Sequence, residues 1–259
     1  MLGRWHKQMP KITSCGKSDV GLKRANNEDA FLVRPEQGFC LVADGVGGAA
    51  AGELASRTFA ETALEVFSGT GPRSEKETVR LVQKAFAWAN ERILTHVKEN
   101  PRHEGMGCTA ELMAFCSEGF VLGHMGDSRT YRLRKGQLKQ LSRDHSFVQG
   151  QIDQGLITPA EARNHPMRHL VLRAVGIEED VALDLVRGKA FPGDVFLLCS
   201  DGLTDVVDDT MIRNVLSLAE PLSRKAEELI GLANSAGGYD NITVALSEVM
   251  HTTQRLSEG

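Results

Sequence analysis

Ten apolar runs of strand length punctuate the chain, at 12–16, 30–34, 38–43, 108–116, 119–124, 130–134, 137–141, 181–187, 194–199 and 241–248. Several are separated by only a few residues, and Lys135-Gly136 between two of them reads as a hairpin turn. Helical periodicity belongs to 52–67, 75–98, 147–154, 159–163, 209–218 and 222–235. Strands therefore come in hairpin-linked blocks, with helices in pairs between and after them. That order predicts antiparallel sheets covered by helices, a layered α/β (α+β) sandwich, rather than a regular βαβ alternation.

Acidic turns sit at the edges of these runs: Asp44-Gly45 after 39–43, Asp201-Gly202 after 195–199, and Asp240-Asn241 before 242–246. Each alone reads as ordinary turn chemistry. The shared placement of three is different, because carboxylates at strand ends converge on one point, and an oxygen-only ligand set suits hard divalent cations such as Mg²⁺ or Mn²⁺. A metal-dependent hydrolase is the expectation. Gly45-Val46-Gly47-Gly48 leads from Asp44 into an Ala-rich helix start, where glycines let the backbone approach an ion or phosphate. Upstream, Arg24 precedes Glu28-Asp29 by four residues, a fork-shaped cation beside acids that can grip a phosphate monoester. Gly126-Asp127-Ser128-Arg129 adds a fourth acidic turn. So many carboxylates need more than one cation to offset their repulsion, and a two-metal centre that activates water for attack on phosphorus meets that need.

Composition narrows the rest. The chain has 259 residues, 41% of them hydrophobic, and no repeat, low-complexity tract or Pro/Ser-rich linker, so 1–259 is expected to form one domain. A net charge of −4 with scattered Lys and Arg argues against nucleic acid as a partner. The cysteines at 15, 40, 108, 116 and 199 form no CxxC pair, and most lie in apolar runs, as reduced buried thiols do. Residues 1–11 lack the apolar core of a signal peptide, and no run of about 18 apolar residues spans a bilayer. A soluble, cytoplasmic protein that does not engage membrane is expected, with 54–67 and 78–97 as core-packed helices.

Taken together, Ser18-Asp19-Val20-Gly21, Arg24-Ala25-Asn26-Asn27-Glu28-Asp29, Ala43-Asp44-Gly45-Val46-Gly47-Gly48, Gly107-Cys108-Thr109, Gly126-Asp127-Ser128-Arg129, Arg143-Asp144-His145-Ser146, Ser200-Asp201-Gly202-Leu203 and Asp240-Asn241-Ile242-Thr243 resemble the PP2C (PPM) family of metal-dependent serine/threonine phosphatases, in its bacterial branch. The match runs in the family's motif order from about 13 to about 249. The resemblance implies an α-β-β-α sandwich, two central antiparallel sheets flanked by helices. It implies two Mn²⁺ or Mg²⁺ ions bridged by Asp44, with the Gly45 carbonyl on one of them and Asp201 and Asp240 on the other, and Glu28 matches the acid that holds one metal, often through water. Asp127 with Asp201 matches a third, weaker site, and Asp29 and Asn241 stand behind the ligands. Arg24 matches the residue that grips the substrate phosphate.

One position departs from many eukaryotic members, which carry a histidine proposed as the leaving-group acid where this chain has Val46; valine has no proton to donate. Water near Asp127 is the preferred acid, with His124 as a secondary candidate. His165 and His169 have i,i+4 spacing, but Pro166 permits a helix only if it starts there, and the pair is not read as a metal site. Residues 144–176 match the family's flap beside the active site, where Arg163, Arg168 and Arg173 are read as surface residues within reach of phosphopeptide. The expected partners are phosphorylated proteins and an opposing Ser/Thr kinase, with the chain a monomer. Two alternatives stand beside this reading: a pseudophosphatase acting as a binding module, and a phosphatase of a small phosphorylated metabolite.

Overall fold

A computed structural model of the chain describes residues 9–47 and 51–251. The strands are β1 (Ile12–Asp19), β2 (Asp29–Arg34), β3 (Phe39–Val46), β4 (Gly107–Cys108), β5 (Ala110–Cys116), β6 (Gly119–Met125), β7 (Arg129–Arg134), β8 (Gln137–Gln140), β9 (Asp184–Gly188), β10 (Val195–Cys199) and β11 (Ile242–Val249). They form two sheets, β1-β11-β10-β7-β8 and β2-β3-β5-β6-β9, with the two-residue β4 paired to the end of β3. Every strand pairing is antiparallel. The helices are α1 (Gly52–Val66), α2 (Glu75–Glu99), α3 (Phe147–Asp153), α4 (Pro159–Ala162), α5 (Asp201–Thr204), α6 (Asp209–Leu216) and α7 (Leu222–Ser235).

Side-chain alternation sorts the apolar residues into three layers. On β3, Phe39, Leu41 and Ala43 face α1 and α2, while Cys40 and Val42 face the other sheet. On β10, Val195, Leu197 and Cys199 face the helical side with α6 and α7, while Phe196 and Leu198 enter the gap between sheets. There the Phe196 ring meets Phe115 and Phe120 edge-on at centroid distances of 5.7 and 5.1 Å. Burial on both faces is why these strands read as continuous apolar runs. Each fully buried Phe or Leu contributes about 1.5–3 kcal/mol. The result is the expected α-β-β-α sandwich.

Helix ends follow local chemistry. Ser74 caps α2 by accepting from the Glu77 amide at 3.2 Å, and Thr158 and Glu161 form a reciprocal capping box on α4. Several boundaries differ from the sequence expectation: β1 runs on to Asp19, and β3 runs on to Val46, so Asp44 and Gly45 lie within the strand and not in a turn after it. The 108–116 run is split at Thr109, which leaves the ladder to bond Asp44. Strand β9 begins at Asp184 rather than 181. Asp201 does not sit in a plain turn but opens α5, with Ser200 at the cap position. The five cysteines are free thiols, four of them buried. Among the described residues no helix is long and apolar enough to cross a membrane.

Candidate metal centre

Asp29 and Asp44 stand opposite each other in the β2–β3 register. Asp44 is held by its main chain: its amide donates to Thr109 Oγ1 (3.2 Å), and its carbonyl accepts from the Thr109 amide (2.8 Å). Thr109 Oγ1 also bonds Ser128 Oγ at 2.7 Å, which ties the Asp127 turn to the same anchor. Next to Asp44, Gly45 and Gly52 let β3, the start of α1 and Glu28 crowd together: a Cβ on Gly45 would meet the Gly52 backbone, and one on Gly52 would meet the Glu28 carboxylate. Gly48 lies outside the described residues.

From the other sheet, β10 delivers Asp201 and the turn before β11 delivers Asp240. The two are set close because Gly202 presses on the Asn241 carbonyl, leaving no room for a side chain. Asn241 itself is a staple. Its Oδ1 accepts from the Glu28 amide (2.8 Å), and its Nδ2 donates to the carbonyls of Val20 and Asn26 (both 2.9 Å). Arg24 reaches over this loop to donate to Asp240 Oδ2 at 2.7 Å.

These segments enclose a cavity of about 990 Å³. Arg24, Glu28, Asp44, Gly45, Asp127, Asp201 and Asp240 all line it, as do Asn241 and Val46. Asp29 does not; it lies behind Asp44, where Ser200 Oγ donates to its Oδ2 at 2.8 Å. From the 144–176 segment, Arg163, Arg168 and His169 also face the cavity, whereas Arg173 turns to His145 and Asp184.

Electrostatics in the cavity are dominated by like charges. Desolvation, then Asp29, Asp201, Asp127 and Asp240, push the Asp44 carboxyl well above the usual range. Asp201 rises in the same way, through desolvation and then Asp127, Asp205 and Asp240. Asp127 is pushed up to about 7, mainly by burial and by Asp144 and Asp205, and Asp29 to about 6, mainly by burial. The Oδ1 atoms of Asp29 and Asp201 are buried with no hydrogen-bond partner. An oxygen-only donor set that repels itself and keeps bare acceptors fits hard divalent cations, whose charge would offset that repulsion.

His124 is not part of this site. It shares the parity of Phe120 and Leu122 on β6, whose side chains enter the gap between sheets. There it is 1% exposed, with Nδ1 on the Glu111 carboxylate and Nε2 on the Arg143 carbonyl at 2.7 Å. With both nitrogens engaged and no path to the cavity, it cannot protonate a leaving group there. Nor do His165 and His169 form a helical pair, since 164–170 is a run of turns. Sequence reasoning missed Asp205 and Tyr239 as parts of the site, quoted Thr109 within a motif without a role, and set His169 aside: a threonine inside an apolar run and an exposed tyrosine carry no periodic signal.

An oxygen-rich cluster beside an arginine, at the edge of a two-sheet sandwich, has the chemistry that suits divalent cations. Comparison with known proteins gives such a site its family. The sequence profile described as Protein phosphatase 2C matches residues 22–247. The serine/threonine protein phosphatase PstP of Mycobacterium tuberculosis is 41% identical over 235 residues, which is 90% of this chain but 44% of that protein. The chain thus spans less than half the length of that relative. Protein phosphatase PhpP of Streptococcus pneumoniae is 35% identical, with 88% of this chain and 94% of that protein aligned. A crystal structure of the catalytic domain of serine/threonine protein phosphatase PstP in complex with two manganese ions superposes with a TM-score of 0.85 at 37% identity, covering 93% of this chain and 99% of that one. The chain belongs to the protein phosphatase 2C family.

Proposed function

We propose that the chain is a Mn²⁺- or Mg²⁺-dependent protein serine/threonine phosphatase, hydrolysing phosphoserine and phosphothreonine. The observation that carries this reading is the convergence of Glu28, Asp44, Asp127, Asp201 and Asp240 with Arg24 on one cavity, in a chain of this family. Asp44, the Gly45 carbonyl and Glu28 would hold one cation, and Asp44, Asp201 and Asp240 a second; Asp127 with Asp201 would take a weaker third. Bound there, such ions lower the pKa of water and offset charge on the phosphoryl oxygens. The chain's own residues supply position. Thr109 fixes the Asp44 backbone, Asn241 fixes the Glu28 loop, and Arg24 offers a planar fork of donors to the phosphate. Manganese bound by a PstP catalytic domain supports the choice of metal.

Residues 1–259 then form one phosphatase domain whose flap, 144–176, meets the protein substrate through Arg163 and Arg168. The same reading extends to phosphorylated proteins as substrates, an opposing Ser/Thr kinase, signalling as the context, and a monomer acting in the cytoplasm. The decisive experiment is phosphate release from a phosphothreonine peptide by EDTA-stripped protein as Mn²⁺ is titrated back, run beside Asp44→Asn. Metal-dependent release that the substitution abolishes supports the reading. No release at any Mn²⁺ concentration rejects it.

A further inference from the structure

Tyr239 lines the acidic cavity, yet its side chain is 62% exposed and makes no hydrogen bond or aromatic pairing among the described residues. It stands directly before Asp240, whose carboxylate accepts from Arg24 at 2.7 Å. Leu22, 65% exposed, comes from the loop that carries Arg24, and its amide donates to the Gly238 carbonyl at 2.7 Å. Neither side chain belongs to any of the three apolar layers.

The backbone fixes both. Gly237 and Gly238 have φ of +132° and +51°, conformations that residues with a Cβ rarely adopt. A Cβ on Gly237 would run into the Tyr239 ring, and one on Gly238 would meet Leu22 Cγ at 2.8 Å. The ring thus lies against Gly237 and Leu22 against Gly238, while Asn241 Nδ2 ties the Val20 carbonyl to the same loop at 2.9 Å. A single exposed apolar side chain is ordinary surface. Two held on interlocked loops, at the mouth of a polar cavity, present apolar area to whatever enters it.

We propose that Tyr239 and Leu22 are specificity residues, an apolar shelf that takes a large apolar side chain one or two positions from the phosphorylated serine or threonine of a protein substrate. The inference rests on the phosphatase reading above. With the phosphate gripped by Arg24 beside Asp240, two residues of extended chain span only about 7 Å, so the flanking residues come within reach of the shelf. Arg163 and Arg168 line the same cavity and attract acidic residues instead. Charge is thus read by the flap and apolar area by the shelf.

The test compares phosphothreonine peptides of equal charge that carry Leu or Ala at each of the two positions on either side of the phosphoresidue, using the full chain with Mn²⁺. Wild type is expected to favour Leu at one or more of these positions by about tenfold in kcat/KM. Tyr239→Ala should bring that ratio close to one, Leu22→Ala should lower it in part, and Tyr239→Phe should keep it, because the hydroxyl has no partner among the described residues. A ratio between two peptides on one enzyme cancels any general loss of turnover or metal. Equal kcat/KM for Leu and Ala peptides in the wild type, or a preference that survives Tyr239→Ala, overturns the assignment. Release from none of the peptides by the wild type would instead overturn the phosphatase reading itself.

Discussion

Thr109 and Asp44 exchange two hydrogen bonds, one from each backbone amide, and so lock the central acid of the cavity to the end of β4. The threonine hydroxyl is also the link to Ser128 and the Asp127 turn. A single buried side chain thereby sets the spacing of two candidate ligands.

Thr109→Val keeps the shape and removes the hydroxyl. It leaves the Asp44 amide without its partner, so a loss of about 1–3 kcal/mol is expected, with Mn²⁺ binding weakened by about tenfold or more. Thr109→Ser should restore both. Thermal unfolding and Mn²⁺ titration check this; a valine variant with unchanged metal affinity would refute the anchoring role.

Asp44→Asn and Asp240→Asn should each lower turnover by orders of magnitude while leaving the fold intact. In EDTA, Asp44→Asn is expected to unfold at a higher temperature than wild type, because it removes one member of a mutually repelling group. Differential scanning calorimetry with and without EDTA measures this; an equal or lower unfolding temperature counts against the repulsion.

Arg24→Ala should act mainly on substrate binding. Losing a charge-assisted phosphate contact is worth about 1.5–3 kcal/mol, or roughly a 10- to 100-fold rise in KM. Arg24→Lys should recover only part of it, since an ammonium cannot present a fork. Steady-state kinetics decide, and a pure loss of kcat would contradict the assignment.

The buried His124–Glu111 pair gives a pH signature unrelated to catalysis. Burial opposes the charge on His124, but Glu111 outweighs it and pushes the imidazole up to about 9. Its neighbour His145, with a ring centroid 4.5 Å away, is pushed down by burial and by the His124 charge. A histidine pKa raised by folding means the native state binds the extra proton. The stability it contributes is therefore full below about pH 6.5 and is lost as pH rises through about 9. Urea unfolding between pH 6 and 9.5 should show a steeper decline for wild type than for His124→Gln; parallel declines would disprove it.

Much of this architecture was legible in the sequence because each core strand is buried on both faces and bounded by turn residues. The acids at 44, 127, 201 and 240 were legible for a related reason, since a carboxylate breaking an apolar run is conspicuous. What escaped depends on contacts distant in sequence. Helix α5 spans four residues, too few for a period to register. His169 pointed by spacing to His165, while its spatial neighbours are acids more than thirty positions away. His124 looked close to Asp127 along the chain, but strand alternation sends its side chain into the gap between the sheets. Asn241 was placed behind the ligands, yet its three bonds to the 20–28 loop emerge only when β1 and β11 pair.

That pairing, from Ile12↔Val249 to Asp19↔Ile242, joins the first strand to the eleventh and places β11 between β1 and β10. Asp240 and Asn241 arrive with it. During synthesis, Arg24, Glu28, Asp44, Asp127 and Asp201 all leave the ribosome before their last companion does. A nascent chain therefore lacks a complete acidic cavity until the residues that lead into β11 have emerged.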